Sequence, residues 1–249
     1  RCYLVLGDDK CVSVWTSDNF KSFADELMDK VRRGELDRDK LRAISASAME
    51  VVIDGQSNHA GTTPMHLRRD PAYAAAELTV FLRSLAKRYG ANQVCTVGKI
   101  DLHPNLINVI PARATMTLDV RNTDEATLRE AERLIDTFIA QLAEDEDVRI
   151  ERRSLARFEP VAFDERVIEI VERRALEVSS AVRRMPSGAG HDAQMLARVC
   201  PTAMIFVPSE GGISHNPAEH TDDADLENGA NALLRTMLAL ANHDFKETK

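Results

Sequence analysis

No apolar run in this chain approaches the roughly 18 residues that a membrane-crossing helix needs. Clustered positive charge is also missing: Asp and Glu outnumber Lys and Arg by 40 to 32, a net charge of −8. Binding to nucleic acid or to anionic lipid rests on clustered cations, so neither is an expected partner. The four cysteines, Cys2, Cys11, Cys95 and Cys200, form no C-x-x-C pair. They read as reduced thiols of a cytoplasmic protein, not as a disulfide framework. The start carries no signal-peptide pattern. It carries no initiator methionine either: the first residue is Arg1, and a fragment or a processed product is expected.

What is present suffices for a real core. Of 249 residues, 44% are hydrophobic, enough for one large domain or two ordinary ones. Tyr3, Val5, Val12 and Val14 alternate around Gly7-Asp8-Asp9-Lys10, which predicts a hairpin. Phe20, Phe23, Leu27 and Val31 recur at helical spacing, with Ser17 or Asp18 as cap and Gly34 as stop. Residues 35–40 are charged and read as a linker.

From residue 48 to 153 the pattern is regular. Met49, Val51 and Ile53 alternate as in a half-buried strand. Asp70 and Pro71 open a helix with the stripe Leu78, Phe81/Leu82, Leu85. Strands are predicted at 94–101 and 114–120, the second with Met116, Leu118 and Val120 opposite Thr115, Thr117 and Asp119. A second helix carries Leu128, Ala131, Ile135, Phe138 and Leu142, with Asp124 and Glu125 at its start, where the helix dipole favours acids. A last strand covers 147–153. The order β-α-β-β-α-β describes a ferredoxin-like α+β sandwich.

Beyond Pro160 the material changes to α/β. Val167/Ile168, Val171, Ala175 and Val178 predict a helix capped by Asp164. The continuous apolar run 202–207 predicts a strand buried on both faces. A final helix is expected to bury Leu226, Ala230, Leu233, Met237 and Leu240. This is too little for a whole doubly wound domain, and part of that sheet is expected to be missing.

Five short segments carry candidate chemistry. In Asn58-His59-Ala60-Gly61-Thr62-Thr63-Pro64-Met65, a histidine at a strand end beside a glycine can donate to a developing oxyanion. In 105–111, Asn108 can orient or polarise a carbonyl. In Asp119-Val120-Arg121-Asn122, the planar fork of Arg121 suits a substrate carboxylate. In 187–194, small residues allow close backbone approach, and His191 begins a helix. In 211–219, the loop after the apolar run, His215 has the chemistry of a zinc or manganese ligand. Each has an ordinary reading when taken alone: a turn histidine, a turn asparagine, an arginine paired with Asp119 or Glu125, a glycine turn. A single histidine makes no metal site, since a catalytic zinc wants about three protein ligands.

Order and spacing are far more specific than any one segment. His-Ala-Gly-Thr-Thr-Pro-Met at 59–65, Asn-Val-Ile-Pro at 108–111, Asp-Val-Arg at 119–121, Ser-Gly-Ala-Gly-His-Asp-Ala at 187–193 and Gly-Ile-Ser-His-Asn-Pro-Ala-Glu at 212–219 run in one sequence. Over about residues 42–242 the chain resembles the hydantoinase/carbamoylase branch of the M20 metallopeptidase family. That branch holds N-carbamoyl-L-amino acid hydrolases, β-ureidopropionases and allantoate amidohydrolases.

The resemblance implies an unassigned segment at 1–41, a ferredoxin-like lid and dimerisation domain at 42–157, and the C-terminal part of a metal-binding catalytic domain at 158–249. It implies a homodimer in which His59 and Asn108 of one chain reach the partner's site to polarise the scissile carbonyl. Arg121 would grip the substrate carboxylate. Gly211, Gly212 and Ser214 would line the pocket, His191 would help shape it, and His215 would be the last ligand of a two-metal site holding zinc or manganese. The implied reaction is metal-assisted hydrolysis of a ureido C–N bond. Gln194 and Asn58 tilt the substrate towards allantoate over a simple N-carbamoyl amino acid, and the Gly-Thr-Thr-Pro-Met continuation argues against an M20 peptidase or aminoacylase. The chain departs from the family in one respect: no histidine precedes His59, and Asp8, Asp9, Asp37 and Asp39 lack the spacing of the family's other metal ligands. The expectations are therefore an enzyme fragment unable to hold two metals alone, or a non-catalytic dimerisation module.

Overall fold

A computed structural model describes residues 2–6, 12–16, 47–90, 93–122, 124–159, 161–185 and 187–242. The predicted helix at 20–33 and the linker at 35–40 lie outside the described residues. Two compact units are present. One comprises residues 39–160 with 188–190, and the other residues 1–38, 161–187 and 191–249.

The first unit is built on a four-stranded antiparallel sheet of β3 (Ser47–Asp54), β5 (Val94–His103), β7 (Arg113–Arg121) and β8 (Arg149–Arg157), in the order β5-β7-β3-β8. Alternation sets its inner face. Met49, Val51 and Ile53 of β3 and Ala114, Met116, Leu118 and Val120 of β7 are essentially inaccessible. Helices α1 (Pro71–Tyr89) and α2 (Glu125–Asp145) contribute Leu78, Leu82 and Leu85, and Leu128, Ala131, Ile135 and Leu142, to the same cluster. Phe81 stacks on Phe138 with centroids 4.1 Å apart, which joins the two helices.

The ends of these helices are specified locally. The Asp70 carboxylate accepts from the amides of Ala72 (3.0 Å) and Tyr73 (3.4 Å), Pro71 occupies the first turn, and Gly90 closes α1 at φ +80°. Asp124 caps α2 through the Thr127 amide at 2.8 Å. The outer strands differ from each other. β8 carries Arg149, Glu151, Arg152, Arg153 and Arg157, whereas β5 leaves Val94 and Ile100 about half exposed and slips register between Val97 and Lys99.

In the second unit, β1 (Cys2–Leu6) and β2 (Val12–Thr16) form the expected antiparallel hairpin. Helix α3 (Glu165–Leu176) is capped by Asp164, as its sequence predicts, and buries Val167 and Ile170. Short α4 spans Asp192–Leu196 and long α5 spans Asp223–Ala241.

Two expectations fail here. Residues 202–207 form no strand: Thr202 is buried, but Phe206 is 42% exposed and only a single bridge forms at Ile205. Burial on both faces needs neighbouring strands, and the described residues supply none. The buried face of α5 also differs from the predicted stripe. Ala232, Leu233 and Thr236 are buried, while Leu226 is 44% exposed. Apolar residues run around the C-terminal half of this helix, so their period selects no single face there. A close approach does the selecting, because a Cβ on Gly229 would lie 2.4 Å from Val207 Cγ1.

Candidate functional site

The first two motifs meet on a two-residue ladder. Beyond β3 the chain turns at Gly55, whose amide donates to the Ala112 carbonyl at 2.9 Å. It then forms β4 (Asn58–His59), which pairs antiparallel with β6 (Val109–Ile110), placing Asn58 opposite Ile110 and His59 opposite Val109. The Ala60 amide donates to the Asn108 carbonyl at 3.0 Å. His59 and Asn108, 49 positions apart, are thus held side by side, and both are exposed. Apolar side chains surround them in sequence and stay exposed as well: Met65, Leu67, Leu106 and Ile107.

The loop carrying His59 is internally bonded. Thr63 donates to the His59 carbonyl through its hydroxyl (2.7 Å) and its amide (3.2 Å). The Gly61 amide donates to His59 Nδ1 at 3.0 Å. The Arg68 guanidinium donates to the Thr63 carbonyl from Nε (3.1 Å) and to the Ala60 carbonyl from Nη2 (2.6 Å). Sequence reasoning missed Arg68, which follows the short 3-10 turn Met65–Leu67 and leaves no periodic signal.

Arg121 lies elsewhere on the same unit. The ladder pairs Asp54 and His103 with Arg113 at one end of β7, and Ser47 with Val120 and Val94 with Arg121 at the other. Eight steps at about 3.3 Å separate Arg113 from Arg121, roughly 26 Å. His59 and Asn108 follow the Asp54/Arg113 end, so the three residues do not converge within one chain. Arg121 donates to Asp119 from Nε (2.7 Å) and Nη2 (2.9 Å), and to the Gly188 carbonyl from Nη1 (2.6 Å). The hydrogen bond with Asp119 raises its pKa further. A guanidinium has five N–H donors; these bonds leave one on each Nη free to meet an acid group. Below it, buried Gln93 donates to the Arg121 carbonyl (3.1 Å) and accepts from buried Asn122 (3.0 Å), fixing the strand end.

Of the other candidates, His191 is buried and caps α4, its Nδ1 accepting from the Ala193 amide at 3.0 Å. Gly211 and Gly212 adopt φ of +63° and +69°, and His215 adopts +56°, a left-handed conformation uncommon for a side chain of this kind. Ser209 and His220 close the base of this loop through their backbones and the Ser209 hydroxyl, with the Glu210 amide bonded to the His220 carbonyl at 2.8 Å. Ser214 and His215 are exposed, and Glu219 accepts from the His215 amide at 2.8 Å. Among the described residues no three His, Cys, Asp or Glu side chains are grouped to hold a metal ion, so the donor set does not fit a two-metal centre. No described helix is long and apolar enough to cross a membrane.

The chain is similar in sequence and fold to known proteins. Allantoate amidohydrolase of Escherichia coli is 41% identical over 195 residues, covering 77% of this chain and 46% of that protein. An N-carbamoyl-L-amino acid amidohydrolase of Geobacillus stearothermophilus is 37% identical over 193 residues, covering 78% and 47%. The crystal structure of a hydantoinase/carbamoylase family amidase from Burkholderia vietnamiensis superposes with a TM-score of 0.75 at 35% identity, covering 79% of this chain and 48% of that one. The chain therefore spans about half the length of the curated relatives it matches. The family model described as peptidase family M20/M25/M40 matches residues 21–239, and with these identities the chain belongs to that family.

Proposed function

We propose that this chain supplies the ferredoxin-like lid and dimerisation domain, with the C-terminal part of the catalytic domain, of an amidohydrolase that cleaves the C–N bond of an N-carbamoyl compound carrying a carboxylate, such as allantoate. One observation carries the reading: His59 and Asn108 sit together at one end of a sheet whose other end, roughly 26 Å away, presents Arg121. A small substrate cannot touch both ends of one chain. It can touch Arg121 of one chain and His59 with Asn108 of a second. In that complex two N–H donors of Arg121 grip the carboxylate. His59 Nε2–H and the Asn108 side chain donate to the oxygen of the attacked ureido carbonyl as negative charge develops there. The family resemblance implies two divalent ions for water activation, with His215 among their ligands. The described residues do not make up such a site, so no step is assigned to the ions here.

Mixed dimers test the arrangement. His59→Ala and Arg121→Ala chains, each impaired in allantoate binding alone, are combined and titrated with allantoate by calorimetry. Random association leaves half the dimers mixed, each with one intact site, and about a quarter of wild-type binding capacity is expected. No recovery above either parent overturns the shared site. A wild-type chain that dimerises but binds no allantoate supports the second reading, a non-catalytic dimerisation module.

A further inference from the structure

We propose that Arg68 is a positioning residue that sets the tautomer of His59, so that its ring presents a proton outward from Nε2. This rests on His59 acting as a hydrogen-bond donor in the proposed reaction. The chemistry follows from one bond. A backbone amide can only donate, so Nδ1 of His59, 3.0 Å from the Gly61 amide, must be the bare nitrogen of a neutral ring. The proton then resides on Nε2 of an exposed side chain. That bond spans two residues and survives only while backbone 59–63 stays curled.

The curl is held from inside by Thr63, which is 8% exposed and whose amide and hydroxyl both reach the His59 carbonyl. It is held from outside by the guanidinium. Nε and Nη2 of Arg68 grip the carbonyls of Thr63 and Ala60, the two carbonyls flanking the glycine turn. The chain delivers Arg68 to this place through the turn Met65–Leu67, closed by the Arg68 amide on the Met65 carbonyl at 3.2 Å. A planar fork can hold two carbonyls at once; the single ammonium of a lysine cannot hold the same pair in a fixed geometry. The neighbouring Arg69 does something else, pairing with Asp147 at 2.5 Å.

The test reads the ring directly and needs no turnover. Long-range proton–nitrogen correlation on the 15N-labelled full chain distinguishes protonated from bare imidazole nitrogens, and amide exchange reports the loop. In the wild type His59 is expected with bare Nδ1 and protonated Nε2. In Arg68→Ala and Arg68→Lys it becomes a tautomer mixture, with Gly61 and Thr63 amides exchanging about tenfold faster or more. Core amides of Val51 and Met116 keep their protection, and Arg69→Ala leaves the ring unchanged. A wild-type ring protonated on Nδ1, or an Arg68→Ala ring identical to wild type, overturns the proposal. If Arg68→Ala loses the sheet's resonances, Arg68→Lys decides alone. A failed mixed-dimer assay beside a positive result here would remove the catalytic reading and leave the positioning role standing.

Discussion

An added Cβ on Gly55 would lie 2.3 Å from the Arg69 carbonyl oxygen and 2.7 Å from Pro71 Cδ, where the backbone leading to the His59 loop crosses the start of α1. Neither obstacle is the flexible end of a side chain. Gly55→Ala is therefore expected to cost about 1–3 kcal/mol in urea unfolding, the range for forced overpacking. Gln93→Ala leaves the buried Asn122 amide group without its acceptor and the part-buried Arg121 carbonyl with one donor fewer, and a loss of similar size, about 1–3 kcal/mol, is expected by the same measurement. At this scale the sequence was read unevenly. His59, Asn108 and Arg121 stood out through their motif order, but the pairing of Arg121 with Asp119 was only one of two options, and Arg68 was invisible. An arginine that grips two carbonyls leaves no periodic or compositional trace.

Elements whose two faces differ were legible, and elements uniform in character were not. α1 and α2 alternate apolar and polar sides clearly enough that Leu78, Leu82, Leu85, Leu128, Ala131 and Ile135 were all placed inward, and their caps were written in Asp70 and Asp124. The run 203–207 has no polar position and the C-terminal half of α5 has few, so the strand and the buried face both depended on neighbours that sequence period cannot supply. β4 and β6, at two residues each, are too short to have a period at all. Asp70→Ala, removing an acceptor for two amides, is expected to lower stability by about 1 kcal/mol and Tm by several degrees.

The caps and ladder ends also predict acid sensitivity. Hydrogen bonds hold several carboxyls below their ordinary range: from Arg113 to Asp54, from Thr127 to Asp124, and from Arg166 to Asp164. At Glu125 burial acts the other way, but bonds from Arg157 and Arg129 outweigh it. Carboxyls lowered in the native state stabilise it above their unfolded values of 3.8 and 4.5, and this contribution is lost as pH falls through the lower native values. Thermal unfolding is expected to be flat from about pH 7 to 5.5 and to weaken below about pH 4. A Tm that rises on acidification would contradict the assignment.

Among the described residues, large apolar side chains are exposed in both units. In the sheet unit they include Met65, Leu67, Leu106 and Ile107 beside the His59 ladder, and Val94 and Ile100 on β5. If two chains pair along β5 to form the proposed shared site, the combined Val94→Lys and Ile100→Lys substitutions are expected to weaken that association at least about tenfold in sedimentation equilibrium, while leaving the sheet folded, since both positions are about half exposed. On the opposite rim, β8, Arg149, Arg152, Arg153 and Arg157 are each paired with an acid, and Leu155 is 44% exposed. On the β5 rim, a twofold axis would set two copies of β5 head to tail. Val94 lies level with Arg121 and His103 level with Arg113, so this reversal would bring the imidazole end of each molecule alongside the guanidinium end of the other. Symmetry would then close, twice over, a gap that no single sheet can fold far enough to span.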